Sequence, residues 1–580
     1  MFELTDSWAF DRCLRMRMAL PRLQHCSILA SIMSMFGHCP YVDAASELDH
    51  RLKRVVQTSP IDLTDVTWCI VDAGGTPISE HNSTRAMKPA STMKLLTTAA
   101  AFEHLPPLYQ TKIWALKSEK GTVLRWVGTG DPMMGDAGPL SDNRVPSTLL
   151  SQLSAEIRRA GVSDVVRLEY DERYFQGPRF HPSWPQDQFS KPYRCESSAL
   201  NFAGNLVRLE LHPKSDRPKL DLFPSEAGQI IALREQFRDL QSTSQKDAVG
   251  FDRYPGRNEF RAFGVCRNHH MLESPVHDPA RWAAELLATS LRMDGISVLQ
   301  VQPVQQIDGP PQGKPIASAT INTPLFRVIS HCNTESRNLY AECLLKSLDR
   351  RLGGDGTWLA SGSDNKTAGE RLYESLSRLF PGTMAPGDVI DDGSGLSHTN
   401  RLTARTLAQI LAQASSRDWY EQWLETFAKG RESGTLANRF RSKAFDNCLI
   451  RGKSGYIRGA STLAGRLDQE SGQSLNFAIM VKNVKSSAEA KRLHESILAE
   501  VVRELSQSVP LGQNNHGLLP TGQSHVKVQP DKAALPNQRN GALKFKQSPE
   551  GDAFNHDASY STILANGTGI ILILLGIRFC

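Results

Sequence analysis

Two β-type runs, Val66 to Val71 and Thr76 to Glu80, flank the turn-forming Asp72-Ala73-Gly74-Gly75 and predict a β-hairpin. Behind it, Met93 to Leu105 combines apolar residues with good helix formers and meets no Gly or Pro before Pro106. A helix is expected there, led in by Pro89, Ala90 and Ser91. From about 108 to 319 the pattern becomes strand-rich and turn-rich, with frequent Pro and one clear helix near Ala280 to Arg292. Helical spacing returns over Leu325 to Leu348, Thr367 to Leu379 and Thr403 to Ala414. A second hairpin follows, Ser461 to Leu467 and Leu475 to Val481, around a polar turn starting at Asp468. Leu493, Ile497, Leu498, Val501, Val502 and Leu505 then close the patterned region as an amphipathic helix.

The two ends of this body share one style, a sheet with helices on it, and the middle has another. The fold expected is α/β (α+β), a split domain (45–107 and 320–505) interrupted by a β-rich insertion (108–319). Outside the body the pattern changes. Arg12, Arg15, Arg17 and Arg22 precede an apolar run, Cys26 to Phe36, and then Val42-Asp43-Ala44. A basic region, an apolar run and small residues before a cleavage point are the parts of an export signal, so residues 1–44 are read as a signal peptide and the mature chain as periplasmic. A buried N-terminal helix is the competing reading. The acidic residues among the first dozen or so positions are atypical for such a signal and make Met16 or Met18 candidate starts. Residues 506–580 are read as a disordered tail, rich in Gln, Asn, Pro, Ser and Gly as far as 562. Its apolar end, Ile570 to Ile577, is too short to span a bilayer and leaves weak contact with a membrane surface as the alternative to a sticky tail.

Composition narrows the partners. The 580 residues carry 67 Lys plus Arg against 61 Asp plus Glu, a formal charge of +6, and no basic block with interleaved aromatics, which sets nucleic acid aside. The 10 cysteines show no paired metal spacing, so neither a zinc site nor a cofactor is implied. Disulfide pairing among Cys69, Cys195, Cys266, Cys332, Cys343 and Cys448 stays open, with Cys332 and Cys343 too far apart if they share one helix.

The chemistry starts from serine. A serine hydrolase without histidine needs a lysine near enough to take the hydroxyl proton, and on a helix residues i and i+3 share a face. Ser91-Thr92-Met93-Lys94 has this spacing at a helix start, where free N–H groups and the helix dipole suit an oxyanion. Ser363/Lys366 and Ser524/Lys527 share the spacing, but one lies in a Gly/Ser/Asp loop and the other in the tail. Only Ser91 opens an apolar helix. Lys453-Ser454-Gly455 directly precedes the closing hairpin. There the lysine supplies positive charge, the hydroxyl can bind a carboxylate and the glycine lets a strand edge approach a substrate backbone. A Ser-x-Asn element has two candidates. Ser363-Asp364-Asn365 spells Ser-Asp-Asn literally but follows several glycines and reads as a loop and helix cap. Ser336-Arg337-Asn338 departs at its middle position yet runs into the apolar helix from Leu339 to Leu345, and sites need rigid supports. The second is preferred.

With these three elements, and with Gly128-Thr129-Gly130-Asp131-Pro132, Ser198-Ala199-Leu200-Asn201 plus Asn205, and Asp392-Gly393-Ser394-Gly395-Leu396-Ser397, the chain resembles the class C low-molecular-mass penicillin-binding proteins, the D-alanyl-D-alanine carboxypeptidase/endopeptidase family. The resemblance covers nearly the whole body. It implies a serine penicillin-binding/β-lactamase-like domain whose long gap between Ser91 and Ser336 holds two nested domains, an insertion that a β-lactamase lacks. The chain departs from the family pattern at Arg337 (usually Asp), Ser454 (Thr), Thr129 (Gly) and His398 (Arg).

The resemblance further implies that Ser91 attacks the penultimate D-Ala carbonyl of a peptidoglycan stem peptide with Lys94 as base, and that β-lactams act as inhibitors. Lys94 must lose its proton near neutral pH, with Lys453 and desolvation lowering its pKa. The N–H groups of Ser91 and Tyr456 would bind the oxyanion, Ser336 relay the proton, Asn338 hold the substrate amide and Lys94, and Ser454, Gly455 and Tyr456 line the substrate. If the leaving amine belongs to a neighbouring stem, the same chemistry opens a cross-link. The alternatives are a catalytically weak sensor or scaffold binding β-lactam or peptidoglycan, and an esterase or D-aminopeptidase on the same scaffold. The oligomeric state is not legible.

Overall fold

The structure is a computed structural model that describes residues 40–136, 145–239, 246–305, 315–507 and 577–578. The apolar run Cys26 to Phe36 and the tail from 508, apart from that last pair, lie outside the described residues, as do Ser524 and Lys527. No described helix is long and apolar enough to cross a membrane.

The first predicted hairpin forms, Val66–Asp72 pairing antiparallel with Pro77–His81. Its inner strand also pairs antiparallel with Ser474–Val484, from the far end of the body, Trp68 standing opposite Ile479. The two similar-looking ends of the sequence are therefore one sheet, ordered Ala428–Lys429, Cys448–Ile457, Gly459–Gln469, Ser474–Val484, Val66–Asp72, Pro77–His81. Its central strands are buried almost throughout, which is why they read as continuous apolar runs rather than alternating ones. One face is covered by the helices Pro40–Gln57 and Ser487–Gln507, through Leu48, Leu52 and Val56 and through Leu493, Ile497 and Val501. The other carries the helices Met93–His104, Asn338–Arg351 and Ala404–Gln413.

The long helix expected over Leu325 to Leu348 is two helices, Leu325–Thr334 and Asn338–Arg351. Between them Ser336 takes a left-handed φ of 61° and Arg337 an extended conformation (φ −67°, ψ 117°). Each helix buries its own apolar stripe, so the helical spacing runs on across the break, and no Gly or Pro marks it. Cys332 and Cys343 thus lie on separate helices. They and the other described cysteines are buried and unpaired, packing as small hydrophobic side chains.

In the middle of the chain, Leu108–Ser118 and Ala317–Pro324 pair antiparallel with Leu108 opposite Pro324, so the chain leaves and re-enters the body at one point. These strands belong to a mixed sheet with Gly121–Val127 and Asp164–Asp171, edged by Ile577–Arg578 on the outer side of Ala317–Pro324. Two further three-stranded sheets occupy 206–275. A helix also escaped the sequence reading here: besides Pro279–Met293 there is Val145–Arg159. Its opening Pro146 and Ser147 pass for a turn, although Leu149, Leu150, Leu153 and Ile157 keep helical spacing and are buried. The Gly128–Pro132 and Ser198–Asn201 segments pack on each other, Gly130 N donating to Ala199 O at 2.8 Å. Asn201 Nδ2 reaches Cys343 Sγ at 3.5 Å, so this junction supports the helix Asn338–Arg351 from behind.

Candidate active site

Ser91 sits in a single 3-10 turn, Ala90–Thr92, that leads directly into Met93–His104. The hydroxyls of Thr92 and of Thr462, on a sheet strand, both donate to Pro89 O at 2.7 Å and tie the turn to the sheet. Two glycines press on it from either side. A Cβ on Gly455 would lie 2.7 Å from Ser91 N, and one on Gly395, whose φ is +82°, would lie 1.8 Å from Ala90 O. Any side chain at either place would push the Ser91 turn away.

One turn further on, Lys94 Nζ donates to Ser91 Oγ (3.0 Å), Asn338 Oδ1 (2.7 Å) and the backbone carbonyl of Ser394 (2.8 Å). Lys94 is fully buried, and burial pushes its pKa down to about 8 against the pull of nearby acidic groups, Asp392 and Glu342 among them. Lys453 is equally buried, and its Nζ donates to Ser336 Oγ (2.8 Å) and Ser454 O (3.0 Å). Burial first, and the charge of Lys94 second, push Lys453 well below the usual lysine range. The expectation had Lys453 depressing Lys94. Burial is the larger cause at both lysines, and the repulsion between the two ammonium groups belongs to the pair, favouring loss of a proton from one of them.

Asn338 is the first residue of its helix; its Oδ1 faces Lys94 and its Nδ2 donates to Tyr193 O at 2.9 Å. Ser454 Oγ donates to Thr435 Oγ1 at 2.9 Å beside Lys453. Tyr456 stands half-exposed at the rim. Ser91, Ser336, Asn338 and Tyr456 thus line a cleft of about 370 Å³, and Lys94, Lys453, Ser454 and Gly455 lie directly beside them. Pro185, Gln188 and Tyr193 from the middle of the chain form one wall, and His398 and Arg458 line another part.

The literal Ser363-Asp364-Asn365 stays in a loop near the surface, where Asp364 pairs with Arg371 and Lys366 pairs with Glu374 at 2.7 Å. It does not cap the next helix. The cap of Ala368–Leu379 is Thr367, which forms a capping box with Glu370. Three contributors were given no role in the sequence reading: the Ser394 carbonyl, within a segment quoted only for its resemblance, the Tyr193 carbonyl and Glu342. Buried Glu342 accepts from Ser394 N (2.8 Å), Gly393 N (3.2 Å) and Trp358 Nε1 (2.8 Å), fixing the loop that presents the Ser394 carbonyl to Lys94. Arg337, the departure inside the Ser-x-Asn element, forms an ion pair at 3.6 Å with Glu273 of the middle segment.

The chain is similar to known proteins. The D-Ala-D-Ala carboxypeptidase 3 (S13) family matches over residues 49–505. A D-alanyl-D-alanine carboxypeptidase of Actinomadura sp. (strain R39) is 26% identical over 508 residues, 83% of this chain and 90% of that protein. D-alanyl-D-alanine carboxypeptidase DacB of Haemophilus influenzae is 22% identical over 450 residues, 74% of this chain and 87% of that one. The crystal structure of penicillin binding protein 4 (dacB) from Haemophilus influenzae superposes with a TM-score of 0.61 at 19% identity, over 79% of this chain and 99% of that chain, a likeness of fold. Since the family match runs from the first described helix to the last and contains every residue of the cleft, the chain belongs to the D-Ala-D-Ala carboxypeptidase 3 (S13) family of serine-type D-Ala-D-Ala carboxypeptidases.

Proposed function

We propose that Ser91 is the nucleophile of this carboxypeptidase and Lys94 its general base. The observation that carries this is the 3.0 Å contact between Lys94 Nζ and Ser91 Oγ in a buried setting that brings the lysine's pKa to about 8. In the neutral form Lys94 takes the Ser91 proton as Oγ bonds to the penultimate D-Ala carbonyl of a stem peptide. The resulting oxyanion lies between the N–H groups of Ser91 and Tyr456. Ser336, whose hydroxyl accepts from Lys453, passes a proton to the leaving amine, and terminal D-Ala departs. Asn338 keeps Lys94 oriented and offers its amide to the substrate. Ser454 and Thr435 receive the terminal carboxylate next to Lys453. Water then hydrolyses the Ser91 ester.

A β-lactam presents an amide carbonyl in the same place, activated by ring strain, and acylates the same oxygen. If the leaving amine belongs to a neighbouring stem, the same steps open a D-Ala cross-link. A cell-wall substrate and the basic, then apolar, segment within 1–44 together support an exported, periplasmic protein. The division into a split catalytic domain, 45–107 and 320–505, around an insertion, 108–319, is supported by the meeting of Leu108 and Pro324. The test is release of D-Ala from a pentapeptide ending in D-Ala-D-Ala, with fluorescent-penicillin labelling alongside. Wild type turns over and is labelled, and Ser91→Ala does neither. Labelling without turnover in the wild type would support the sensor reading, and labelling that persists in Ser91→Ala would overturn the nucleophile.

A further inference from the structure

Glu210 and His212 lie two positions apart on the strand Leu206–His212, so their side chains share one face of its sheet. In the same sheet, Asp221 of Lys219–Phe223 stands directly opposite Glu210. On the other side, Met271 is opposite Glu210 and His270 opposite Leu211, so the next step of that ladder brings His269 alongside His212. Cross-strand partners point to the same face. The register alone thus gathers two imidazoles and two carboxylates at one end of three strands.

The side chains converge accordingly. His269 Nε2 is 2.7 Å from Glu210 Oε1, and His212 Nε2 is 3.7 Å from that oxygen and 3.4 Å from Asp221 Oδ2. One ligand atom each from Glu210, His212 and His269 lie within 4.8 Å of one another. A tetrahedral Zn²⁺ with bonds of about 2.0–2.2 Å has ligand-to-ligand edges of about 3.3–3.6 Å; the two His212 separations, 3.7 and 3.4 Å, match this scale, and the 2.7 Å His269–Glu210 contact would open to admit the ion. Imidazole nitrogen with carboxylate oxygen suits Zn²⁺, whereas Ca²⁺ and Mg²⁺ take all-oxygen shells.

We propose that Glu210, His212 and His269, completed by Asp221, bind one Zn²⁺ ion that clips the three strands together at this end. None of these residues lines the catalytic cleft. Lys219, whose Nζ is 2.7 Å from Asp221 Oδ2, is the one cation in direct contact with the cluster among the described residues and opposes the ion. His270, next in sequence to His269, bonds Asp247 at 2.8 Å and takes no part.

The test is calorimetric titration of Zn²⁺ into the full chain, freed of any affinity tag and stripped with a chelator, near neutral pH. One ion should bind per chain and raise the melting temperature. His212→Ala and His269→Ala should each weaken binding about tenfold or more, and the double variant should abolish it. His270→Ala should leave it unchanged. Lys219→Ala should tighten it, a change that no loss of packing produces. Co²⁺ in place of Zn²⁺ should give the absorption of a tetrahedral site, lost in His212→Ala, while D-Ala release stays the same with and without the ion. Absence of binding, binding undiminished in the double variant, or equal loss in His270→Ala would each overturn the proposal. The melting temperatures of the stripped variants, expected to match wild type because the four side chains are partly exposed, separate loss of ligand from loss of fold.

Discussion

Residues 363–366 spell, within four positions, both a Ser-x-x-Lys pair and a literal Ser-Asp-Asn, while the cleft draws the same residue types from Ser91, Lys94, Ser336 and Asn338 on two distant parts of the chain. The difference lies in what surrounds the lysine. Lys366 is partly exposed, with Glu374 at 2.7 Å and Asp364 at 3.8 Å on its ammonium group, so carboxylates hold the proton a base would have to give up. Lys94 meets no carboxylate directly. It is fully buried, its contacts are a hydroxyl, an amide oxygen and a peptide carbonyl, and burial brings it to about 8. The asparagines differ in the same way: Asn338 opens a buried helix and bonds in two directions, whereas Asn365 sits in the loop at a φ of 51°. A reactive lysine is made by its burial, and four letters in water do not supply that.

The comparison breaks most sharply at the serines. Ser91→Ala should lower D-Ala release by about 10³-fold or more, and Ser363→Ala should leave it unchanged, read as turnover on the same peptide. Asn338→Ala should cost roughly 2 to 4 kcal/mol in the transition state, a rate loss of about thirty- to a thousand-fold, in a chain that melts like wild type. Large loss in Asn365→Ala with an active Asn338→Ala would reverse the assignment. Gly455→Ala puts a Cβ 2.7 Å from Ser91 N, and the displaced turn should lose about a hundredfold in acylation by penicillin.

The pH profile sharpens the contrast between the lysines. A base whose pKa lies at about 8 is protonated below it, so acylation should fall about tenfold per pH unit beneath that point and level off above it. Lys94 and Lys453 disfavour each other's protonated form, so Lys453→Ala should move this limb upward and also lower the plateau. A limb that stays put would mean that Lys453 carries no charge when Lys94 titrates. The smallest effects belong to the loop. Thr367→Ala removes a capping box and should cost about 1 kcal/mol of stability, measured by denaturant melting, with turnover intact. Asn365→Ala, which asks alanine to take a left-handed φ, should cost no more than about 1–2 kcal/mol.

Much of this molecule is legible where a few neighbouring residues decide the outcome. Both hairpins, the helix behind Ser91 and the closing helix follow from turn residues and apolar spacing, and the choice of Ser336/Asn338 over the literal match follows from the apolar helix beside it. Even Thr367-x-x-Glu370 is a local signal, overlooked in favour of the nearby Ser-Asp-Asn. The break at Ser336 was not legible, because two helices of like polarity read as one when no Gly or Pro interrupts them.

By itself, then, the sequence determined the element types, the pairing of a serine with a lysine one helical turn on, and a glycine beside Lys453 and Ser454 on a strand edge. These depend on backbone preference and on residues within a turn or two of one another. Only the tertiary structure decided that both lysines are fully buried, that a carbonyl of Ser394 in a loop fixed by buried Glu342 accepts from Lys94, and that His212 and His269 face each other across a sheet. Desolvation, strand register and backbone acceptors arise from packing between segments tens to hundreds of residues apart, and a peptide carbonyl has the same letter whether it faces water or a buried ammonium group.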